Sequence, residues 1–173
     1  MKITKSINFK NFDKKLNSTS VKKKLKIILK QKNQIFESLS LKYKYSYTKK
    51  FENKLKKKTN NLRIIGMGGS ILGFKAIYNF LNDKIKRKVE FIDNLNPNLK
   101  DSFKNKKVLN LVISKSGNTL ETIANINLLL KKTDKNIFIT QRGNSYLRLL
   151  ADKMKAEIIE HNNFIGGRYS VLS

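Results

Sequence analysis

Cysteine is absent from the 173-residue sequence, so disulfide bonds and thiolate metal sites are excluded. A single histidine, His161, excludes a metal centre built from several histidines of this chain. The one proline, Pro97, argues against a linker-rich or disordered chain. No apolar run approaches the roughly 20 residues that span a bilayer, and the first ten residues lack the apolar centre of a secretory signal. We therefore expect a cytoplasmic protein with no membrane partner.

Acidic residues are also scarce, 12 against 38 lysines and arginines, which gives a net charge of +26. Residues 1–58 hold 19 lysines and three acids, whereas the remainder holds 19 basic and nine acidic residues. Only five of the basic residues are arginine, the residue favoured for contacts with phosphates and bases. The joint abundance of lysine, asparagine and isoleucine indicates a compositional bias of the genome. Attraction of nucleic acid or of anionic metabolites is the alternative, and nucleic acid is not the expected partner.

The first 58 residues predict a basic helical segment. Apolar residues over 21–39 recur close to the helical period and form one stripe. Tyr43, Tyr45 and Tyr47 then alternate with lysine and serine. Aromatic rings between lysines can stack on nucleic-acid bases. The preferred interpretation is that the rings pack on the body of the protein while the lysines face water.

From Leu62 onward, short β-rich runs alternate with helical patterns. The runs cover residues 62–66, 88–93, 107–114, 135–140 and 156–160, and the helical patterns cover 71–82, 119–132 and 145–154. This alternation predicts an α/β domain over 59–173, a parallel sheet sandwiched by helices. Ligands of such sheets gather at the carboxyl ends of the strands.

The first predicted strand ends in the glycine-rich sequence GMGGS, residues 66–70. Gly69 and its neighbours let the backbone approach a ligand closely, and Ser70 brings a hydroxyl to the start of a helix. A helix N-terminus attracts anions through its unpaired N–H groups. The sequence fits neither a dinucleotide fingerprint nor a Walker A loop. A turn with a purely structural role is the alternative.

The third predicted strand ends in SKSGNT, residues 114–119. Hydroxyls of Ser114, Ser116 and Thr119, together with the Lys115 ammonium, can donate to phosphate oxygens. Gly117 lets the loop curl around such a group. Helix capping explains one of the hydroxyls but not all three. The loop holds no acidic residue, so a phosphate monoester is the predicted ligand.

Two further residues are candidates for chemistry. Arg168 follows a pair of glycines and is a permanent cation that can bond two oxygens at once, with a surface salt bridge as the alternative. His161 can in principle exchange protons. It lies in EHNNF without an evident orienting partner, and we interpret it as a solvated loop residue.

Three motifs together resemble the phosphoglucose isomerase family, namely IIGMGGSILG, ISKSGNTLET and GGRYSVLS. The middle motif is similar to that of any sugar isomerase (SIS) domain, whereas the last is more specific to phosphoglucose isomerases. The resemblance covers residues 62–173 and implies a SIS-type, flavodoxin-like sheet. Residues 1–58 match the family only in their helical character.

The resemblance also implies roles for the matching residues. The phosphate of a sugar would be surrounded by Ser70, Ser114, Lys115, Ser116 and Thr119. Gly69 and Gly167 would lie against the substrate. Arg168 would be catalytic, stabilising the enediolate between glucose 6-phosphate and fructose 6-phosphate. The resemblance implies no metal and no cofactor.

Members of this family normally contain two SIS domains and form homodimers, and their proton-transferring glutamate lies downstream of the GGRYSVLS motif. We therefore expect the chain to correspond to the amino-terminal part of such an enzyme of glycolysis and gluconeogenesis. On its own it is expected to be inactive. A non-catalytic SIS domain that binds a phosphosugar as a regulator, or another SIS sugar isomerase, is the alternative.

Overall fold

The computed structural model describes residues 19–31, 33–38, 40, 42–56 and 61–167. Three helices come first: α1 (Thr19–Lys30), α2 (Gln34–Ser38) and α3 (Lys49–Lys56). The remaining elements follow in the order β1 (Asn61–Gly66), α4 (Gly69–Phe80), β2 (Lys88–Ile92), β3 (Leu109–Ile113), α5 (Leu120–Leu129), β4 (Lys135–Gln141), α6 (Tyr146–Met154) and β5 (Glu157–His161), so strands and α-helices alternate except between β2 and β3. In the described part of the chain, no helix is long and apolar enough to span a membrane.

The five described strands form one parallel sheet in the order β2-β1-β3-β4-β5. This confirms the α/β fold predicted from the alternating pattern. The order is flavodoxin-like, because the chain moves outward from β1 to β2 and then returns to place β3 on the other side of β1. The crevice between the ends of β1 and β3 is therefore the switch point at which ligands of such sheets bind.

The core lies on both faces of the sheet. Ile64 and Ile65 of β1 point to opposite faces, and neither is accessible to solvent. Residues of the two helices that follow β3 and β4, Ile126, Leu147 and Ala151, cover one face. Burial of both faces explains why the strands are nearly continuous apolar runs.

An ion cluster interrupts this apolar interior at Arg63, whose side chain is 1% exposed. Its Nε donates to Glu90 Oε2 on the neighbouring strand at 2.6 Å, and its guanidinium also bonds Asp101. The guanidinium lies over the Phe103 ring, 5.5 Å from the centroid. Burial raises the pKa of Asp101, but hydrogen bonds from Lys131, Arg63 and a backbone N–H outweigh it and lower that pKa below its ordinary value of 3.8.

The apolar stripe predicted over residues 21–39 is divided between α1 and α2. The Gln31 amide bonds the Ile28 carbonyl at 3.0 Å in a tight turn that ends α1. The Asn33 side chain then accepts from the Ile35 amide at 2.9 Å, which caps the next helix. The predicted boundary at residue 58 lies outside the described residues.

Candidate functional site

The backbones of β1 and β3 lie very close together at Gly66, where β1 ends. A Cβ atom at this position would lie 2.7 Å from the Ile113 carbonyl oxygen of β3, so only glycine fits. Gly68 follows with φ +52° and provides no side-chain cap for α4. Ser70 lies in the first turn of that helix. The Ser70 amide donates to the Met67 carbonyl and the Ile71 amide to the Gly68 carbonyl, each at 3.1 Å. The positive end of the helix dipole therefore lies at the β1–β3 crevice, although these two N–H groups are already paired.

Residues 114–119, which we call the hydroxyl loop, follow β3 on the other side of the crevice. The hydroxyls of Ser114 and Thr119 lie 2.9 Å apart, and the Gly117 amide donates to Ser114 Oγ at 3.2 Å. Ser114 is buried, so its hydroxyl holds the loop together from within. Ser116 is exposed and accepts from the Asn118 amide at 3.3 Å. Thr119 precedes α5 without capping it through its side chain.

The hydroxyl loop is fixed from behind by β4 and α6. The carbonyl of Lys115 accepts from the Gln141 amide at 3.0 Å and from Thr140 Oγ1 at 3.2 Å. The Leu147 amide at the start of α6 donates to the Gly117 carbonyl at 3.1 Å. These bonds come from backbone groups and a buried side chain, so the loop is held in shape before any ligand arrives.

A cavity of about 230 Å³ lies at the carboxyl ends of β3, β4 and β5, beside the start of α4. It is lined by Tyr43, Tyr45, Ser46, Tyr47, Gly69, Ser70, Phe74, Ile113, Lys115, Ile139, Ile159, Glu160, His161 and Asn162. Of the residues predicted for the site, it brings together Gly69, Ser70 and Lys115. The others in the hydroxyl loop lie beside the cavity rather than along its wall. Lys115 Nζ also donates to the Asn163 carbonyl at 2.8 Å.

His161 is not the solvated loop residue that the sequence suggested. It is the last residue of β5, is half-buried and lines the cavity. Burial and then the charge of Lys115 lower its pKa below the ordinary 6.5, while a backbone hydrogen bond with Ile165 acts in the opposite direction. Its Nε2 atom is buried and has no hydrogen-bond partner within the described residues. The missed signal was its place directly after the fifth predicted strand.

Glu160 also lines the cavity, and its carboxylate is paired with two arginines. Arg142 Nε bonds Glu160 Oε2 at 2.5 Å, and Arg148 Nη2 lies 3.5 Å from Oε1. Because the carboxylate is already paired, its repulsion of an anionic ligand is reduced.

Residues 42–48, which we call the tyrosine segment, lie across the end of β5. Ser46 Oγ donates to the Glu160 carbonyl at 2.9 Å, and the Asn162 side chain donates to the Tyr43 hydroxyl. The segment is thus attached to the body of the protein, but the prediction that its rings pack there is wrong for Tyr45 and Tyr47, which are 56% and 40% exposed, and only Tyr43 is half-buried. Its rings, however, also form part of the cavity wall.

The remaining predicted residues are at the far end of the chain. Gly167 is half-buried and is not among the residues that line the cavity. Arg168 lies outside the described residues, so its catalytic role stays a prediction.

The fold and the cavity together define an open parallel α/β domain with a cavity at the carboxyl ends of its strands. Residues 17–173 match the family model described as "Phosphoglucose isomerase". The chain therefore belongs to the phosphoglucose isomerase family, as its three motifs indicated.

Individual relatives agree with this assignment. The chain is 39% identical over 124 residues to glucose-6-phosphate isomerase of Methanocaldococcus jannaschii, which covers 65% of this chain and 30% of that relative. It is 40% identical over 144 residues to the Acholeplasma laidlawii enzyme of the same name, covering 69% of this chain and 33% of the relative. The chain thus spans about a third of the length of these relatives.

A solved structure supports the fold. Tagatose-6-phosphate ketose/aldose isomerase from Escherichia coli superimposes with a TM-score of 0.53 at 17% identity, covering 71% of this chain and 37% of that one. At this level of identity the similarity concerns the SIS-like arrangement of sheet and helices.

Proposed function

We propose that the chain is the sugar-phosphate-binding part of a glucose-6-phosphate isomerase, which interconverts glucose 6-phosphate and fructose 6-phosphate. The observation that carries the proposal is that Gly69 and Ser70 of the GMGGS turn and Lys115 of the hydroxyl loop line one cavity at the carboxyl ends of β3, β4 and β5. Membership of the phosphoglucose isomerase family supports the choice of reaction. Cytoplasmic location, a homodimer and a place in glycolysis and gluconeogenesis are parts of the same proposal.

The phosphate group is expected to lie between the start of α4 and the hydroxyl loop. A phosphate monoester presents three acceptor oxygens, and this region offers donors of three kinds. They are the first N–H groups of α5, the hydroxyls of Ser70, Ser116 and Thr119, and the ammonium of Lys115, supported by the positive end of the α4 dipole. Ser114 contributes indirectly, because its buried hydroxyl holds Thr119 and the Gly117 amide in place.

The chemical step moves a proton between C1 and C2 of the open-chain sugar through an enediolate. The chain's own part is to hold the phosphate so that these carbons lie at a fixed distance from it. Arg168 is proposed to stabilise the negative charge of the enediolate, which is the charge that develops during the reaction. In the family, the glutamate that carries the proton lies downstream of the motif that contains Arg168. Binding without turnover is therefore expected of residues 1–173 alone.

A coupled assay of fructose 6-phosphate formation by the full-length protein tests this assignment. Lys115→Met should raise KM about tenfold with little change in kcat, because a charge-assisted hydrogen bond worth about 1.5 kcal/mol is lost from substrate and transition state alike. Arg168→Ala should instead lower kcat by roughly 100-fold. Lys153→Met, an exposed charge on α6, is the matched control and should change neither constant. Absence of interconversion by the unmodified protein, or equal effects of the two lysine variants, would rule the assignment out.

A further inference from the structure

The tyrosine segment forms a cavity wall that no motif of the sequence predicts. It reaches the end of β5 from a position far earlier in the chain. Two hydrogen bonds attach it there, from Ser46 to the Glu160 carbonyl and from Asn162 to the Tyr43 hydroxyl. These bonds fix the position of the segment, and its three tyrosines line the same cavity as Ser70 and Lys115.

Aromatic rings give this wall its chemistry. Tyr43 and Tyr45 meet edge to face, and Tyr45 and Tyr47 stack, each pair with centroids 5.3 Å apart. The stacked pair is well exposed, at 56% for Tyr45 and 40% for Tyr47. Tyrosine combines an apolar ring face with a hydroxyl that donates and accepts hydrogen bonds. Such a surface suits a ligand that presents both C–H groups and hydroxyls.

The two sides of the cavity thus differ in kind. One side offers the Ser70 hydroxyl, the Lys115 ammonium and the positive end of the α4 dipole, which suit a phosphate. The other offers the three rings, with His161 and Asn162 at the end of β5 beneath them. The His161 ring adds a half-buried aromatic surface to this side, and its Nε2 atom is buried without a hydrogen-bond partner among the described residues.

We propose that Tyr43, Tyr45 and Tyr47 bind the carbon chain of the sugar phosphate and determine the preference for a hexose phosphate over inorganic phosphate. This inference rests on the proposed function, because the phosphate must lie against the hydroxyl loop for the sugar to reach the rings. A base of single-stranded nucleic acid is a weaker candidate. The three rings line one cavity with Ser70 and Lys115, and a cavity of about 230 Å³ suits a small phosphosugar better than a stacked strand.

Calorimetric titration of the 173-residue chain with glucose 6-phosphate and, separately, with inorganic phosphate tests this inference. The Tyr45→Ser/Tyr47→Ser double variant should bind glucose 6-phosphate about tenfold more weakly, because two ring faces are lost. Its affinity for inorganic phosphate should stay within about twofold of the wild type, since the phosphate donors are unchanged. Both rings are exposed, so the fold should be retained, which circular dichroism can verify.

Phe80→Ser is the matched control, because its ring is 88% exposed at the far end of α4 and does not line the cavity. It should leave both affinities unchanged. If the tyrosine double variant binds glucose 6-phosphate as tightly as the wild type, or more tightly, the proposed role of the tyrosines is refuted while the proposed function stands. If the double variant instead loses affinity for single-stranded oligonucleotides and keeps its affinity for glucose 6-phosphate, the tyrosines bind nucleic acid and the proposal is refuted. If the wild type binds neither phosphate compound, the proposed function and this inference both fail.

Discussion

Replacement of Gly117 by alanine is expected to disrupt the hydroxyl loop and to weaken hexose phosphate binding by at least about tenfold. Gly117 has φ +69°, a conformation that costs other residues about 1–2 kcal/mol. A Cβ atom there would lie 2.7 Å from Ser145 Cβ and 2.9 Å from Thr140 Oγ1, and it would also clash with the Ser145 hydroxyl. Strain and overlap together should lower the free energy of unfolding by about 3 kcal/mol. Urea unfolding and calorimetry measure the two effects.

Gly143→Ala separates backbone strain from steric overlap. Gly143 also has a positive φ, +126°, but a Cβ atom there would meet nothing within 4 Å. This variant should therefore lose only the strain energy, about 1–2 kcal/mol, and should bind glucose 6-phosphate as the wild type does. If the two glycine variants lost equal stability and both retained binding, the close packing of the hydroxyl loop against Ser145 would not matter for the site.

Replacement of Arg63 by methionine should lower the free energy of unfolding by about 3–4 kcal/mol at neutral pH. The methionine fills similar volume, but it leaves Glu90 and Asp101 without the guanidinium that neutralises them. Their side chains are only 15% and 22% exposed, so water screens the two charges poorly. Asp101 retains Lys131, whose Nζ lies 3.0 Å from its second oxygen, which limits the loss.

Two comparisons test the electrostatic origin of this effect. Adding Glu90→Gln and Asp101→Asn to Arg63→Met should recover at least about half of the lost stability, because no buried charge is then unpaired. Because the pKa of Asp101 is lowered in the folded state, its ion pairs contribute fully to stability above about pH 3.8, its ordinary pKa. This contribution is lost as the pH falls through the lower, folded-state pKa. The difference between wild type and Arg63→Met should therefore shrink in strongly acidic solution. A difference independent of pH, with no recovery in the triple variant, would indicate lost packing instead.

Local sequence patterns were enough to predict most strands of the sheet. The central strands β1, β3 and β4 contain short apolar runs bounded by glycine, asparagine or lysine, so their type could be predicted without knowledge of their neighbours. The edge strands β2 and β5 mix apolar with charged residues and gave a weaker pattern. The position of the hydroxyl loop followed from the same reasoning, because polar residues directly after a buried strand lie at the edge where ligands bind. The division of the stripe over residues 21–39 was missed because periodicity alone does not register a capping side chain such as Asn33.

Other features depend on contacts between distant parts of the chain and left no local signal. Arg63 lies within an apolar strand, and only the register with Glu90 shows why its charge is tolerated there. The hydroxyl of Ser114 was assigned to the ligand, whereas the structure pairs it with Thr119 and Gly117. The tyrosine segment reaches the cavity through a hydrogen bond between Ser46 and Glu160, residues 114 positions apart. Sequence spacing does not encode such a contact.

The central claim, that the β1–β3 crevice holds the phosphate of a sugar, is tested most directly by amide NMR of the ¹⁵N-labelled chain. Glucose 6-phosphate and unphosphorylated glucose would be added in separate titrations. We predict that the amides of Gly69, Ser70, Ser116 and Thr119 shift most with glucose 6-phosphate and stay in place with glucose. Shifts spread over the exposed lysines of α1, with both loops unchanged, would contradict it.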